Sequence, residues 1–133
     1  MARWLLKTEP SDYSYDDLER AGKAVWDGVR NAVALKHLRS IRKGDEVLVY
    51  HTGDEKSVVG LAKATSDAYA DPKDAALAVV DLAPGRRLKK SVTLAAVKAD
   101  PAFAAWELAR LPRLSVMPVP DALYRRLLAL AGE

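Results

Sequence analysis

In the stretch AVWDGVRN, Ala24 to Asn31, a tryptophan stands two residues before a glycine, and an arginine and an asparagine close the run. A large aromatic in a polar, glycine-broken segment, which reads as a turn, has two uses. Trp26 can close one end of a barrel, or it can offer a ring face on which a flat ligand stacks. Polar groups able to serve such a ligand recur where strands end and turns begin: Lys7, Glu9 and Tyr13, then Arg30 and Asn31, then Tyr50 and His51, and finally Arg113 and Ser115. Binding groups concentrate at such positions. Each also has an ordinary explanation, with Lys7 and Glu9 a surface ion pair, Asn31 a helix cap, Arg113 the partner of a carboxylate, and Tyr13 and Tyr50 core residues. Together they supply an aromatic platform with amide, hydroxyl, carboxylate and cationic groups, a set that suits a nucleobase and not a purely apolar ligand.

Other chemistries lack their parts. The two histidines, His37 and His51, fall on different elements without HxH or HxxxH spacing, and there is no cysteine, so neither a metal nor a cofactor is expected. A structural or hydrogen-bonding role is the reading for both. No GxSxG nucleophile turn occurs, and the seven glycines are scattered singly rather than gathered into a phosphate-cradling loop. The absence of cysteine also fits a reducing cytoplasm. The opening MARWLLKTEP has only the apolar run WLL before Lys7, far short of a signal-peptide core or membrane span. A cytoplasmic protein with no membrane partner is the expectation.

Twenty-one basic residues face 18 acidic ones, a net charge of +3. Two basic clusters stand out, Lys36, His37, Arg39, Arg42 and Lys43, and then Arg86, Arg87, Lys89 and Lys90. They can neutralise phosphates, or serve as a solvated helix face and a protected hairpin edge.

These groups need elements to hold them, and the pattern gives a run of short strands with helices between. Arg3 to Thr8 reads as a strand. Ser14 and Asp17 form a capping box for a helix that Gly22 closes. Asn31 caps a helix over Ala32 to Ile41, ended by Gly44. EVLVYHT and SVVGLAKATSDAY, joined by GDEK, form a hairpin from Glu46 to Tyr69. Ala78 to Leu82 and Val92 to Val97 read as strands linked by the basic connection APGRRLKK. Asp100 and Pro101 open a helix over Ala102 to Arg110, RLSVMPV is a last strand with Pro118 at an edge, and Asp121 to Leu130 is the final helix. At 133 residues without repeat or linker, one domain over residues 1–133 is expected. The fold class is α+β, a small, mostly antiparallel barrel of about six strands with flanking helices. Trp4 and Trp106 belong to its core, whereas the Trp26 ring is expected to be open from one face of a preformed pocket.

The strings WLLKTEPSDYSYDDL, VWDGVRNAVALKHLRSIRKGDEVLVYHTGDEKSVVGLAKATSDAYADP and RLSVMPV, in this order and spacing, resemble the EVE domain family of bacterial stand-alone proteins and thymocyte nuclear proteins. The resemblance runs from Trp4 to about Val119. It implies a PUA-like fold related to the YTH domain, which binds methylated adenine. It also implies non-catalytic binding of a modified base, with modified cytosine in DNA favoured over RNA. By matching position it implies a pocket of Lys7, Glu9, Pro10, Tyr13, Trp26, Val29, Arg30, Asn31, Tyr50, His51, Arg113, Leu114 and Ser115. Trp26 would stack on a base flipped out of its duplex. Arg39, Arg42, Lys43 and Arg86 would then hold phosphates. No restriction, helicase or nuclease module is attached, so any downstream effect is expected to come through a separate effector protein, and a monomer is expected. Two alternatives stand beside this. An ASCH-like amidohydrolase would use Lys7, Thr8 and Glu9 as base, nucleophile and acid, against which strand alternation points Thr8 away from its neighbours. An RNA-binding accessory protein is the other.

Overall fold

The computed structural model describes residues 1–133. The elements are β1 (Arg3–Thr8), α1 (Tyr15–Ala21), β2 (Ala24–Trp26), α2 (Ala32–Arg39), β3 (Glu46–His51), β4 (Ser57–Ala64), β5 (Tyr69–Asp71), β6 (Asp74–Thr93), α3 (Leu94–Ala99), a 3-10 turn (Pro101–Phe103), α4 (Glu107–Arg110), β7 (Val116–Pro118) and α5 (Asp121–Leu130). The strands hydrogen-bond in the order β2-β6-β4-β3-β1-β7, with β5 also on β6. Only β1 and β3 run parallel. The end strands β2 and β7 do not pair with each other, so the sheet curls into a half-barrel with the helices around it. This is the PUA-like α+β fold expected from the sequence, with seven strands where about six were expected.

The parallel pair decides where polar side chains gather. Because β1 and β3 run in the same direction, their C-terminal residues emerge together, Lys7 beside Tyr50 and Thr8 beside His51. β3 and β4 occupy the middle of the sheet and are buried almost throughout, which is why VLVY and VVGLA read as unbroken apolar runs. Gly60 of β4 is needed for space. A Cβ there would lie 2.6 Å from the ring of Tyr15, whose hydroxyl donates to the Leu61 carbonyl at 2.6 Å. α1 is thereby pinned to the sheet.

The caps behave as the sequence indicates. Ser14 Oγ accepts from the Asp17 amide at 3.1 Å while Asp17 accepts from the Ser14 amide at 2.9 Å, and Gly22 ends α1 at a φ of 76°. Asn31 Oδ1 accepts from the Val33 and Ala34 amides. α2, however, stops at Arg39 with Ser40 as its cap, and Gly44 belongs to the turn before β3.

Four expectations are corrected. APGRRLKK is no connection: Asp74 to Thr93 form one long strand. β6 bonds β4, β2 and β5 along different parts of its length, and it bulges where it runs from Val92 to Arg87 while β4 advances only from Val58 to Gly60. The strand expected to reach Val97 ends at Thr93, because the Thr93 hydroxyl caps α3 through the Ala96 amide. The helix expected over Ala102 to Arg110 is split into the 3-10 turn and α4, with Trp106 between them. Similarly, β4 ends at Ala64 rather than continuing to Tyr69.

One apolar cluster contains all three tryptophans. Trp4 donates through Nε1 to the buried Asp45 at 2.9 Å, and Asp45 also accepts from the Ala2 and Arg42 amides. Trp106 is 3% exposed and donates through Nε1 to the Pro118 carbonyl at 3.0 Å. No helix is long and apolar enough to cross a membrane.

Candidate functional site

A cavity of about 470 Å³ lies between the end of β1, the segment Lys23 to Arg30, and Ser115 just before β7. Lys7, Thr8, Tyr13, Lys23, Ala24, Val25, Trp26, Asp27, Gly28, Val29, Arg30 and Ser115 line it. The sheet order brings these together: β1 sits next to β7, and the backbone amide of Lys7 donates to the Ser115 carbonyl at 2.9 Å.

Trp26 is the last residue of β2, opposite Val80 of β6. It is not a turn residue, and it is only 8% exposed, which corrects the expectation of an open ring. Its aromatic neighbour is Tyr13, edge-on at 6.2 Å between ring centroids and 85° between planes. The two rings meet in the geometry aromatic quadrupoles favour. After Trp26 the chain turns at Gly28, where φ is 77° and a Cβ would meet nothing within 4 Å. Glycine is there for the backbone angle, since space is ample.

Three of the four charged residues in the lining are cations. Lys7, half-buried, donates through Nζ to the Pro112 carbonyl at 3.1 Å and lies 5.4 Å from the centroid of the Tyr50 ring. Burial lowers its ammonium below the ordinary lysine value. Lys23, Arg30 and Asp27 are exposed at the rim. Lys7 and Thr8 both reach the cavity wall, contrary to simple alternation, but the Thr8 hydroxyl donates to the Tyr13 carbonyl at 2.7 Å.

Of the thirteen residues expected at the pocket, Lys7, Tyr13, Trp26, Val29, Arg30 and Ser115 share this cavity. Asn31, Arg113 and Leu114 line an adjacent one of about 340 Å³ with Val33, Leu111 and Pro112. Tyr50 is buried and faces a third, which it shares with Lys7. Glu9 is turned aside: its carboxylate accepts from the Ser11 amide and hydroxyl and from Thr52, bonds that hold it below the usual carboxylate range, with those from Ser11 dominant. Pro10 lies in the same turn. His51 is buried with both ring nitrogens engaged, Nε2 accepting from the Tyr15 amide at 3.0 Å and Nδ1 against Glu55 at 3.0 Å. The expected pocket left out Thr8, Lys23, Ala24, Val25, Asp27 and Gly28, although Val25 and Asp27 flank Trp26 directly.

The candidate phosphate groups lie elsewhere. Arg39 donates to the Ala76 carbonyl at 2.7 Å, and Arg86 pairs with Glu133. Arg42 and Lys43 are exposed beyond the end of α2.

An aromatic wall and several polar side chains thus share one open concavity. The sequence matches the EVE domain over residues 2–130, and the chain belongs to that family. Human thymocyte nuclear protein 1 is 35% identical over 82 residues, covering 53% of this chain and 36% of that protein. The chain thus spans about a third of the length of the curated relatives it matches. Among solved structures, a protein from Rhodopseudomonas palustris is 40% identical with a TM-score of 0.94, over 99% of this chain and 94% of the other. Human THYN1 in complex with DNA containing 5-methylcytosine is 25% identical with a TM-score of 0.91, over 100% and 99%. An ASCH protein from Zymomonas mobilis, 11% identical with a TM-score of 0.60, shares the fold alone.

Proposed function

We propose that this protein reads modified bases in DNA, taking a 5-methylcytosine turned out of its stack into the Trp26 cavity. The observation that carries the reading is the aromatic, polar-lined cavity in a chain whose fold matches human THYN1 complexed with 5-methylcytosine DNA. A volume of about 470 Å³ lies within the usual range for small-ligand sites. Trp26 supplies the stacking surface and Tyr13 braces it. A cytosine edge offers an amino donor beside two acceptors. The Asp27 carboxylate suits the amino group, while Lys7 and the Ser115 hydroxyl suit the acceptors. Val25 and Val29 give the 5-methyl group apolar contact.

Extruding a base costs a few kcal/mol. Stacking worth about 1–3 kcal/mol and two or three hydrogen bonds of about 1 kcal/mol each offset it. The protein binds without catalysis in this reading: the Thr8 hydroxyl and both His51 nitrogens have internal partners, and Glu9 faces Ser11 and Thr52. It acts as a monomer that hands the signal to a separate effector. The test is a titration with matched duplexes carrying cytosine or 5-methylcytosine, with acetylcytidine turnover and structured RNA as the competing arms. Preferential binding of the methylated duplex is expected. Equal affinity for both duplexes, or turnover of acetylcytidine, would contradict the reading.

A further inference from the structure

We propose that a groove lined by Lys7, Lys56 and Lys98 holds the phosphodiester backbone of the strand whose base enters the Trp26 cavity. The proposal rests on the base-reading assignment and adds where the backbone runs. The groove has a volume of about 250 Å³, and Tyr50, Thr52 and Gly53 contribute to its wall. Lys7 belongs to both spaces. Base site and groove therefore open side by side, with one ammonium group between them.

None of the charges in this groove is paired with a carboxylate, although Lys7 donates to the Pro112 carbonyl. Every ion pair in the chain uses an arginine or His51, and no lysine is paired with a carboxylate. Of the carboxylates near the groove, Asp54 is exposed in the turn after Gly53, and Glu9 and Glu55 are engaged. Glu9 accepts from Ser11 and Thr52, and Glu55 faces His51. By contrast, Arg86 pairs with Glu133, Arg87 lies against Asp16 and Glu19, and Arg39 serves Ala76. Of the basic clusters that stand out in the sequence, the three arginines Arg39, Arg86 and Arg87 are therefore held by internal contacts.

Lys56 carries a second, independent sign. It is the only non-glycine residue with a positive φ, 44°, an angle that persists in a lysine only where the surroundings enforce it. They do so here by clamping its backbone between the β3–β4 hairpin and α3, where the Leu94 amide donates to the Lys56 carbonyl at 2.8 Å. Lys56 and Lys98 also line a neighbouring hollow, together with Glu55. Ammonium groups are donors without acceptors and act as point charges for phosphate oxygens. Lys56 and Lys98 supply two such charges along the groove, with Lys7 at its junction with the base site.

The experiment compares the parent with a Lys56→Asn, Lys98→Ala double variant, asparagine being chosen because it tolerates the left-handed backbone. The probes are a 5-methylcytosine duplex, its unmodified counterpart, the free nucleoside 5-methyldeoxycytidine, and inorganic tripolyphosphate. Expected in the variant are about a tenfold loss of affinity for both duplexes, a salt slope shallower by about 1 to 2, and unchanged binding of the nucleoside. An unchanged affinity and salt slope would overturn the groove, as would a slope change found instead in an Arg39→Ala, Arg42→Ala variant. Tripolyphosphate bound as tightly as the duplex, and released by the same substitutions, would overturn it in favour of a free polyphosphate site. If the parent fails to prefer the methylated duplex, the base-reading assignment falls, and the salt slope still decides the groove.

Discussion

Replacing Trp26 by alanine should separate binding from folding, and the structure allows both effects to be sized. A core tryptophan truncated to alanine costs about 3–5 kcal/mol. Trp26 is 8% exposed and borders the cavity of about 470 Å³, so part of its ring has no protein packing to lose. The edge contact with Tyr13 adds about 0.5–1.5 kcal/mol. A net loss of about 2–3 kcal/mol follows, greater than for a ring open to solvent, and a fall in melting temperature of roughly 10 °C. Loss of the stacking face removes about 1–3 kcal/mol of binding, up to about a hundredfold in affinity. Trp26→Phe should recover part of each. Trp106→Ala is the counterpart: at 3% exposure, with its indole bonded to the Pro118 carbonyl, it should cost about 4–5 kcal/mol and leave the affinity of the remaining folded protein unchanged. The assays are thermal melts of each variant beside titrations with a 5-methylcytosine duplex. A Trp26→Ala protein that melts far below the parent yet binds and discriminates as the parent does would refute the reasoning.

Gly60→Ala should destabilise by about 1–3 kcal/mol or more, because the Tyr15 ring lies 2.6 Å from the new Cβ; Tyr15→Leu in the same background, by vacating that space, should restore part of the melting temperature. Asp45→Ala leaves the Trp4 indole and two amides without their acceptor, and denaturant titration should report a loss of about 2–4 kcal/mol. Burial raises Tyr13, Tyr15, Tyr50 and Tyr124 above the ordinary phenol value of 10.0. The folded state therefore holds these protons after the unfolded chain has released them. The linked stability is complete below pH 10 and is lost as pH rises through the folded values, while the lowered Lys7 opposes this weakly. Chemical denaturation at stepped alkaline pH, with phenolate absorbance followed alongside, should show this fall.

Much of this was legible in the chain where short-range chemistry decides. Ser14, Asp17, Gly22 and Asn31 act within a few residues of themselves, and their caps form as their types demand. EVLVYH is apolar enough to name its own strand. The failures have a different cause. Pro84, Gly85 and four cations between Arg86 and Lys90 read as a connection, yet β6 continues through them because β4 offers a ladder on one side and takes up the mismatch in bulges. Trp26 reads as a turn residue because a three-residue strand has no periodicity to display, and its pairing with Val80 lies far along the chain. The site behaved alike. Lys7, Tyr13, Trp26 and Arg30 were identifiable by type, but their meeting with Ser115 depends on β7 lying beside β1. Lys56 looked like the end of a tight turn, and nothing local showed that α3 would bring Lys98 beside it.

The central claim, that a modified base sits against Trp26, is tested most directly by two-dimensional NMR of the labelled protein titrated with a 5-methylcytosine duplex. The account predicts that the largest shifts fall on the Trp26 indole N–H, on Val25 and Val29, and on the Gly28 amide, while Trp4 and Trp106 indoles stay fixed. It also predicts that an unmodified duplex moves these signals less at equal saturation. Shifts centred on Arg39, Tyr69 and Ala76, with the Trp26 indole unmoved, would contradict it.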